Sequence, residues 1–536
     1  MLGPRRRILL LAVAIAACAA LATWMVNPGS DDDGQNAGAT ATAATPGPAQ
    51  APVRTPGDGT LRWLGGAAGC LKGSGGQPWI PCQGTVRGQF DISSMAISPD
   101  GGFAYGVSLN SGYRPNPAGK RIAAIRGGTI VAFSRNPDTG ALTQLKGSDG
   151  CIRDLRAPVN KVTAPCSRKG RALAGAKTIT LSPDGRFAYV AALNNAAISA
   201  FKRNPRTGAL HQLPGADACI GGKVGARSDC PRPARALQGV RWVTVSPDGR
   251  NVYASSPAGD AVAVFARDGR TGGLHQLPGT DACVEDTLAR VRSGCARGPG
   301  VNYPRSITVS PDGRNAYVAS DSADSAYPND PADGDAVSAF ARDPATGALR
   351  QLPGKAACVK DERARSTTAC PTLAKGLLQP FSVAVSPDGR FVYVGSDYGK
   401  LGAIATFRRG PGGELVQLPG ASGCIVRIRG CKRAKGIKGV DSVTITPDGT
   451  RLYATGFFGQ TVAVFKRNRG TGVLSQVRGR GACVRDVAAK EPCSRAVRGL
   501  LGPRNVVLSP DGTSAYVPAT VSGTIAVFRV GRAPRR

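Results

Sequence analysis

Histidine and acidic residues are scarce in this chain of 536 residues. It has two histidines and 35 acidic residues against 69 lysines and arginines, which gives a formal net charge of +34. Structural zinc is disfavoured, because it needs about four ligands and no cysteines stand in CxxC spacing. A GxSxG motif is also missing, so a serine-hydrolase triad has no support. His211 and His275 share one repeat position, which predicts an exposed outer strand rather than a catalytic role.

The sequence is organised by a phrase that recurs seven times: an apolar strand, Ser-Pro-Asp-Gly or a close variant, and a second apolar strand. Proline early and glycine late in a four-residue turn suit a tight reversal, so each phrase predicts a β-hairpin. Successive phrases are 84, 64, 64, 76, 60 and 63 residues apart, which indicates an array, a solenoid or a propeller. The phrases begin at Ser98, Ser182, Ser246, Ser310, Ser386, Thr446 and Ser509.

Each repeat predicts four short antiparallel strands, which is the composition of one propeller blade. The last copy has only three strands. The missing fourth strand stands at the other end of the chain, where residues 60–66 match the fourth strand of the second repeat. We therefore predict an all-β fold: a seven-bladed β-propeller over residues 60–536, closed by an N-terminal strand that completes the last blade and leaves no open sheet edge.

The residues before the repeats predict export. Three arginines at positions 5–7 precede nineteen uncharged residues, as in a signal peptide or a membrane anchor over residues 1–26. The stretch 15–18 resembles a lipobox, so cleavage, lipidation at Cys18 and retention as an anchor all stay open. Residues 27–59, rich in Ala, Thr, Pro and Gly, predict a disordered linker. All three outcomes predict an extracytoplasmic protein, secreted or anchored to the cell membrane.

The other fourteen cysteines form seven close pairs, one in each repeat. The regular placement favours local pairing over crossed pairing, and it predicts one loop disulfide per blade in an oxidising compartment. The predicted pairs are Cys70 with Cys82, Cys151 with Cys166, Cys219 with Cys230, Cys283 with Cys295, Cys358 with Cys370, Cys424 with Cys431 and Cys483 with Cys493.

Several stretches resemble the lactonase family of seven-bladed propellers, the 6-phosphogluconolactonase and carboxymuconate-cyclase-like group with YVTN-type repeats. They are SPDGRFAYV (182–190), AVAVFARDGRTGGL (261–274) and AVSAFARDPATGAL (336–349). The resemblance implies the propeller fold, and it implies lactone chemistry because some members open or form lactones. The matching residues are turns and core strands that any blade needs, so no catalytic residue is carried over.

The repeat also predicts a channel mouth. The SPDG and TG turns share one face of the propeller, the turn face; the loops after each second strand and the links between blades share the other, the loop face. Five residues before each phrase, the innermost strand begins at Ser93, Lys177, Arg241, Arg305, Phe381, Asp441 or Arg504. Five of these are charged, and Lys177, Arg241, Arg305, Asp441 and Arg504 are candidates for binding a small anionic ligand. The alternative to ligand binding is that a chain with 69 lysines and arginines has basic residues at many semi-exposed positions.

An insertion in the fourth blade carries five aspartates. Carboxylates at short spacing suit calcium, but the spacing departs from the EF-hand pattern, and an acidic solvated loop is the favoured interpretation. We expect no required cofactor, with calcium as the candidate metal. The aspartates are Asp321, Asp324, Asp330, Asp333 and Asp335.

These features together predict a binding or scaffolding module of the cell envelope. Basic stretches such as RIRGCKRAKGIK (427–438) favour an anionic envelope polymer or a membrane surface as partner. Nucleic acid is not expected, because the protein is exported and no aromatic residues interleave with the cations. We expect a monomer. The alternative function is a lactone hydrolase, 6-phosphogluconolactonase-like, that acts on a sugar-acid lactone at the channel mouth.

Overall fold

The computed structural model describes residues 58–73, 82–88, 91–109, 127–157, 166–222, 230–289, 292–321, 335–364, 369–398 and 401–531. The predicted N-terminal segment, with Cys18, and most of the predicted linker lie outside these residues. Within them, no helix is long and apolar enough to cross a membrane.

The described residues form forty-one strands in seven sheets, one sheet per blade. The first three strands, which belong to blade 7, are β1 (Leu61–Trp63), β2 (Cys70–Gly73) and β3 (Gly84–Val86). Blade 1 holds β4 (Ile92–Ile97), β5 (Phe103–Ser108), β6 (Thr129–Arg135), β7 (Leu142–Gln144), β8 (Cys151–Asp154) and β9 (Arg168–Gly170). Blade 2 holds β10 (Ala176–Leu181), β11 (Phe187–Ala192), β12 (Ala197–Arg203), β13 (Leu210–Gln212), β14 (Cys219–Gly222) and β15 (Arg232–Ala234).

Blade 3 holds β16 (Trp242–Val245), β17 (Asn251–Ser256), β18 (Ala261–Arg267), β19 (Leu274–Gln276), β20 (Cys283–Asp286) and β21 (Ala296–Gly298). Blade 4 holds β22 (Pro304–Val309), β23 (Asn315–Ser320), β24 (Ala336–Arg342), β25 (Leu349–Gln351), β26 (Cys358–Asp361) and β27 (Thr372–Ala374). Blade 5 holds β28 (Pro380–Val385), β29 (Phe391–Ser396), β30 (Ala403–Arg409), β31 (Leu415–Gln417) and β32 (Cys424–Ile425).

Blade 6 holds β33 (Val440–Ile445), β34 (Arg451–Gly456), β35 (Thr461–Arg467), β36 (Leu474–Gln476), β37 (Cys483–Asp486) and β38 (Arg495–Val497). Blade 7 ends the chain with β39 (Val507–Leu508), β40 (Ser514–Ala519) and β41 (Thr524–Val530). The helices are short: α1 (Gly66–Gly69) and seven 3₁₀ turns at Gly147–Gly150, Gly215–Asp217, Pro257–Gly259, Gly279–Ala282, Gly354–Ala356, Gly420–Ser422 and Gly479–Gly481.

Each blade has its first strand on the inside, as predicted. In blade 2 the order from the centre outward is β10, β11, β12, β14 and β15, and β10 contacts the first strands β4 and β16 of the neighbouring blades. The sequence predicted one outer strand per blade, but blade 2 has three shorter ones. A 3₁₀ turn splits the predicted strand into β13 and β14, which both pair with β12, and β15 then pairs parallel to β14. Strands of three or four residues are too short to show alternation, so the pattern missed them.

The N-terminal strand closes the ring, as predicted. Leu61, Arg62 and Trp63 of β1 pair antiparallel with Val530, Arg529 and Phe528 of β41. β2 pairs with the other half of β41, and β3 pairs parallel to β2, so the start of the chain supplies the whole outer part of blade 7. The closure buries the outer edge of β41, which would otherwise remain unpaired.

All seven predicted disulfides form, one in each blade. In six blades the bond joins the second part of the outer strand to a cysteine one or two residues before the last strand, and in blade 5 it closes a shorter loop after β32. Repeated disulfides of this kind are typical of proteins outside the cytoplasm, and they suggest an extracytoplasmic location. The bonds join Cys70 to Cys82, Cys151 to Cys166, Cys219 to Cys230, Cys283 to Cys295, Cys358 to Cys370, Cys424 to Cys431 and Cys483 to Cys493.

An arginine latch joins neighbouring blades on the turn face. Arg203, at the end of β12, is buried; its Nε donates to Tyr105 Oη at 3.0 Å, and its guanidinium pairs with Asp100 of the preceding blade. Asp100 is the aspartate of the first SPDG turn, where it also accepts hydrogen bonds from Ser98 and Gly102. Each such turn therefore also binds the next blade. The other latch pairs are Arg135–Asp511, Arg267–Asp184, Arg342–Asp248, Arg409–Asp312 and Arg467–Asp388.

Candidate ligand site at the channel mouth

Five of the seven predicted mouth residues lie at irregular points of the innermost strands. In five blades the pairing between the first and second strands skips this residue: Ile92 and Ser94 pair with the adjacent Ser108 and Val107, for example, and Ser93 bulges out. A β-bulge bends a strand and redirects the side chain at its extra residue, and bulges are common next to binding sites. The bulged residues are Ser93, Lys177, Arg305, Phe381 and Asp441.

The other two, Arg241 and Arg504, stand just before their strands. Their backbone N–H groups donate to Ser255 and Pro518 of the adjacent second strand. All seven residues of this mouth ring are buried, with at most 7% of any one exposed. The ring side chains therefore pack against other protein atoms and are not exposed to solvent, which the sequence alone did not indicate.

Arg305 is the centre of a cluster between blades 4 and 5. Its Nη2 lies 2.6 Å from Asp321 Oδ2, and both side chains are buried. The guanidinium also lies 4.5 Å from the ring centre of Tyr303 and 4.8 Å from that of Phe381. Planar guanidinium groups stack well on aromatic faces, so the two rings and the carboxylate fix Arg305 in one position.

Tyr303 is a site residue that the sequence analysis missed. It lies two residues before the ring position, has a left-handed φ of 47° and contacts Arg241 as well as Arg305, with its ring centre 5.9 Å from the Arg241 guanidinium. A bulky residue in this conformation is strained, and such strain is concentrated at functional sites. Counting two residues further back from each ring position would have found it. Four other blades place a glycine with positive φ at this point: Gly175, Gly239, Gly439 and Gly502.

Arg504 forms the matching cluster between blades 6 and 7. Its Nη1 lies 3.4 Å from Asp441 Oδ1, its Nε donates to Thr520 Oγ1 at 2.6 Å, and it lies 4.3 Å from the ring centre of Phe457. Thr520 and Phe457 each follow the second strand of their blade, the position that Asp321 occupies in blade 4. In blades 4, 6 and 7 the residue after the second strand thus contacts the ring and forms a second layer of the site.

The remaining ring contacts join blades 1 and 2. Ser93 Oγ donates to the backbone oxygen of Lys177 at 2.8 Å, and Lys177 is wholly buried. The ring holds four cations, as predicted, but Asp441 and Asp321 pair with two of them. The net positive charge at the mouth is therefore smaller than the sequence suggested. Removing one partner of a buried ion pair leaves the other charge uncompensated, so these pairs strongly favour one arrangement.

The predicted calcium cluster is not assembled from the described residues. Asp321 contacts Arg305, while Asp335 Oδ1 accepts the N–H of Gln379 at 2.7 Å. Asp324, Asp330 and Asp333 lie outside the described residues. Among the residues the structure describes, no three metal-binding side chains come together. Calcium binding by the insertion stays a prediction.

The histidines lie far from the ring, on the outer strands β13 and β19, and both are exposed. Arg168 Nη1 lies 3.0 Å from His211 Nδ1, and Arg168 also pairs with Asp149. His275 and Arg232 repeat the arrangement in the next blade. The expectation of an exposed outer strand is confirmed.

Residues 154–360 match the family model described as "Lactonase, 7-bladed beta-propeller". The chain forms a seven-bladed propeller, and its matched residues are similar to the lactonase family. The resemblance seen in the repeats is thereby confirmed, with the match running from the end of blade 1 through most of blade 4. No curated protein is significantly similar to the chain.

Solved structures of similar shape include a periplasmic gluconolactonase from Pseudomonas aeruginosa, 20% identical, which covers 72% of this chain and 84% of its own with a TM-score of 0.43. A candidate 6-phosphogluconolactonase from Bacteroides uniformis is 20% identical and covers 71% of this chain and 82% of its own, with a TM-score of 0.46. Hydrazine synthase from Kuenenia stuttgartiensis is 15% identical and covers 85% of this chain and 99% of its own, with a TM-score of 0.47.

Proposed function

We propose that this lactonase-family propeller is an exported binding module of the cell envelope and that its loop face binds an anionic partner. The seven disulfides support a location outside the cytoplasm, and the arginines and apolar run at the N-terminus support export with secretion or anchoring. The mouth ring supports binding over proton-transfer chemistry, because the carboxylates of Asp321 and Asp441 both face arginines.

The observation that carries the proposal is an exposed run of cations on the loop face. Residues 427–438, the basic crossover, lead from the disulfide loop of blade 5 to the first strand of blade 6. Lys432 Nζ donates to Leu474 O at 3.1 Å, and the backbone of Lys435 donates to Gln476 at 2.9 Å, so the segment lies across the outer strand of blade 6. Its exposed cations are Arg427, Arg429, Arg433, Lys435 and Lys438.

Acidic residues compensate the equivalent cations in blades 1 and 2, whereas within the described part of the chain no acidic residue forms an ion pair with the basic crossover. The aspartate two residues before the first disulfide cysteine forms an ion pair in both blades. Asp149 pairs with Arg168 in blade 1, and Asp217 pairs with Arg232 in blade 2. Blade 5 has Ser422 at this position. The crossover therefore keeps its positive charge, and clustered exposed cations attract polyanions and anionic headgroups.

A binding assay with the full chain tests this proposal. The variant Arg433→Glu/Lys435→Glu/Lys438→Glu should lose at least about tenfold in affinity for an immobilised phosphodiester polymer at low salt, since each cation near an anionic surface contributes about 1 kcal/mol. The matched control, Arg186→Glu/Arg206→Glu/Arg250→Glu, reverses three exposed cations on the turn face. Equal loss in both variants, or no retention of wild type at low salt, would contradict the proposal.

Lactone hydrolysis is the second candidate function. The family match favours it, and so does the cluster of Tyr303, Arg241 and Arg305, whose guanidinium groups suit a sugar-acid carboxylate or phosphate. Wild type and Arg241→Ala/Arg305→Ala should be assayed on a panel of sugar lactones. Turnover that the double variant abolishes would support this candidate, and wild type without turnover on any of them would remove it.

A further inference from the structure

Exposed apolar side chains are concentrated on the loop face. Of the eight large hydrophobic side chains that are exposed in the described residues, six lie in loops on this face, and only Leu373 and Val416 lie on outer strands. Large apolar side chains that gather on one face mark an interaction surface, whereas single ones scattered over a protein need no explanation. The six, between 41% and 53% exposed, are Leu155, Leu288, Leu401, Phe458, Val487 and Val521.

Four of the six belong to blades 5, 6 and 7. Two of these four, Phe458 and Val521, are connected through Phe457. The rings of Phe457 and Phe458 meet edge to face with centroids 5.3 Å apart. Phe457 and Val521 both pack on Gly502, where an added Cβ would come within 2.9 Å and 2.5 Å of them. Phe458 packs in the same way on Gly439, where an added Cβ would clash with its ring. Gly439 and Gly502 thus leave the space in which these apolar side chains pack.

The basic crossover ends beside this apolar group. Lys438 is exposed, stands immediately before Gly439, and its backbone oxygen accepts the N–H of Gly459 at 3.1 Å. The inner end of the crossover therefore lies against the loop that carries Phe458. The outer end carries Arg427 and Arg429.

The apolar residues come from separate loops of a rigid scaffold. Leu401, Phe458 and Val521 each lie in the loop after the second strand of their own blade, and Val487 lies in the disulfide loop of blade 6. A soluble polyanion would contact only the cations of such a surface. A bilayer with anionic headgroups would contact both, because its interface accepts apolar side chains while its surface potential attracts lysine and arginine.

We infer that the loop face of blades 5 to 7 docks on a lipid bilayer that contains anionic lipid, with Leu401, Phe458, Val487 and Val521 inserted at the interface and the basic crossover at the headgroups. This inference rests on the proposed function, since it names a bilayer as the anionic partner. We call the inserted residues and Lys438 the docking surface.

Hydroxyl-radical footprinting of the full chain tests the docking surface directly. Vesicles of saturated phosphatidylcholine, with or without phosphatidylglycerol, avoid chain peroxidation of the lipid, and the same lipid concentration in both arms keeps radical consumption by the lipid equal. We expect oxidation of Leu401 and Phe458 to fall several-fold only when phosphatidylglycerol is present. Leu373 and Val416, which are as exposed but lie on outer strands, serve as internal controls and should not change. Because oxidation is measured at individual side chains, contact of the loop face with lipid is distinguished from binding of the vesicle through the apolar residues 8–26.

A variant adds a second measurement. Phe458→Ser/Val521→Ser should abolish the protection of Leu401, whereas the control Leu373→Ser/Val416→Ser should keep it. Protection of the turn face instead, or unchanged oxidation of Leu401 and Phe458 with phosphatidylglycerol, would overturn the inference. If wild type is still retained on the phosphodiester polymer in that case, the proposed function stands and the bilayer is the wrong partner; if it is not retained either, both fail.

Discussion

Tyr453 donates a hydrogen bond of 2.6 Å from its Oη to the backbone oxygen of Gly59, 394 residues earlier in the chain. In every other blade the tyrosine at this position binds the glycine of the next blade's TG turn, or the matching glycine in blade 5. Gly59 therefore takes the place of the turn glycine that blade 7 lacks. The six other pairs are Tyr105–Gly208, Tyr189–Gly272, Tyr253–Gly347, Tyr317–Gly413, Tyr393–Gly472 and Tyr516–Gly140.

The closing interface depends more on this bond than the other interfaces do. Val530 stands where the other blades place the latch arginine, so no arginine among the described residues takes the latch position on the Tyr453 oxygen. Arg451 Nε donates to Asp58 O at 3.0 Å instead. Besides the strand pairing of β1 and β2 with β41, residues 58 and 59 thus contact blade 6 through two backbone oxygens, at the place where the other interfaces have the latch ion pair.

Tyr453→Phe should lower the free energy of unfolding by about 1 kcal/mol, because the buried oxygen of Gly59 loses its donor. Limited proteolysis should cleave the N-terminal strand faster, since the bond holds that strand. Tyr189→Phe removes the same bond and also the acceptor of Arg267, so it should cost more in denaturant but leave proteolysis near residue 60 unchanged. Equal proteolysis of Tyr453→Phe and wild type would contradict this account of closure.

Arg203→Met should destabilise the protein by about 2 kcal/mol in chemical denaturation. The arginine is buried, and its loss leaves Tyr105 Oη and Gly185 O without their donors. The estimate is below the usual cost of breaking a buried ion pair because the side chain of Asp100 is 46% exposed and water screens it. Lys202→Met, one residue earlier on the exposed side of the same strand, should stay within about 0.5 kcal/mol of wild type. A similar loss in both variants would mean that the latch contributes little.

Stability should fall as the pH drops from about 5 to about 3, because six turn aspartates have a lowered pKa in the folded state. Partial burial raises the pKa of Asp184, but hydrogen bonds from Ser182 and Arg186 N–H and the charge of Arg267 outweigh it, and the net pKa lies below the usual 3.8. The stabilisation is present above the unfolded pKa and is lost as pH falls through the folded one. The six are Asp100, Asp184, Asp248, Asp312, Asp388 and Asp511.

Two buried aspartates act in the opposite direction. Desolvation raises the pKa of Asp286 and of Asp361, so their contribution favours the folded state at low pH and is lost as pH rises through the folded pKa. Six groups outnumber two, and the net slope should follow the turn aspartates. Denaturant midpoints measured across this range check the sign, and Asp184→Asn should show a shallower slope than wild type. A midpoint that rises on acidification would contradict the assignment.

The sequence predicted the parts of this protein that repeat. The seven turns, the first three strands of each blade, the closure by residues 61–63 and the seven disulfides all follow from turn chemistry and regular spacing. Counting five residues back from each phrase also located a set of buried, bulged side chains. It did not reveal that Asp321 would pair with Arg305, because Asp321 lies beyond a different strand and only the fold brings the two side chains together. From the short spacing of the five aspartates, the same residue was a candidate calcium ligand, with an acidic solvated loop as the favoured interpretation.

Tyr303→Gly tests whether the strained residue at the mouth serves binding. Glycine relieves the left-handed φ of 47°, although it also adds freedom to the unfolded chain, so the two effects should nearly cancel and leave stability within about 1 kcal/mol of wild type. Gln379→Gly is the matched control, since Gln379 has a φ of 54° at the same position of blade 5.

The readout of this last experiment is calorimetric binding of 6-phosphogluconate, a stable sugar acid with both a carboxylate and a phosphate. If the tyrosine orients Arg241 and Arg305 for such a ligand, Tyr303→Gly should weaken binding about fivefold while Gln379→Gly leaves it unchanged, because an aromatic ring over a guanidinium contributes about 1 kcal/mol. A loss of stability in Tyr303→Gly beyond that of Gln379→Gly would instead assign the ring to packing. Wild type that binds no sugar acid would remove the support that this cluster gives to lactone hydrolysis, and the loop face would remain as the functional surface.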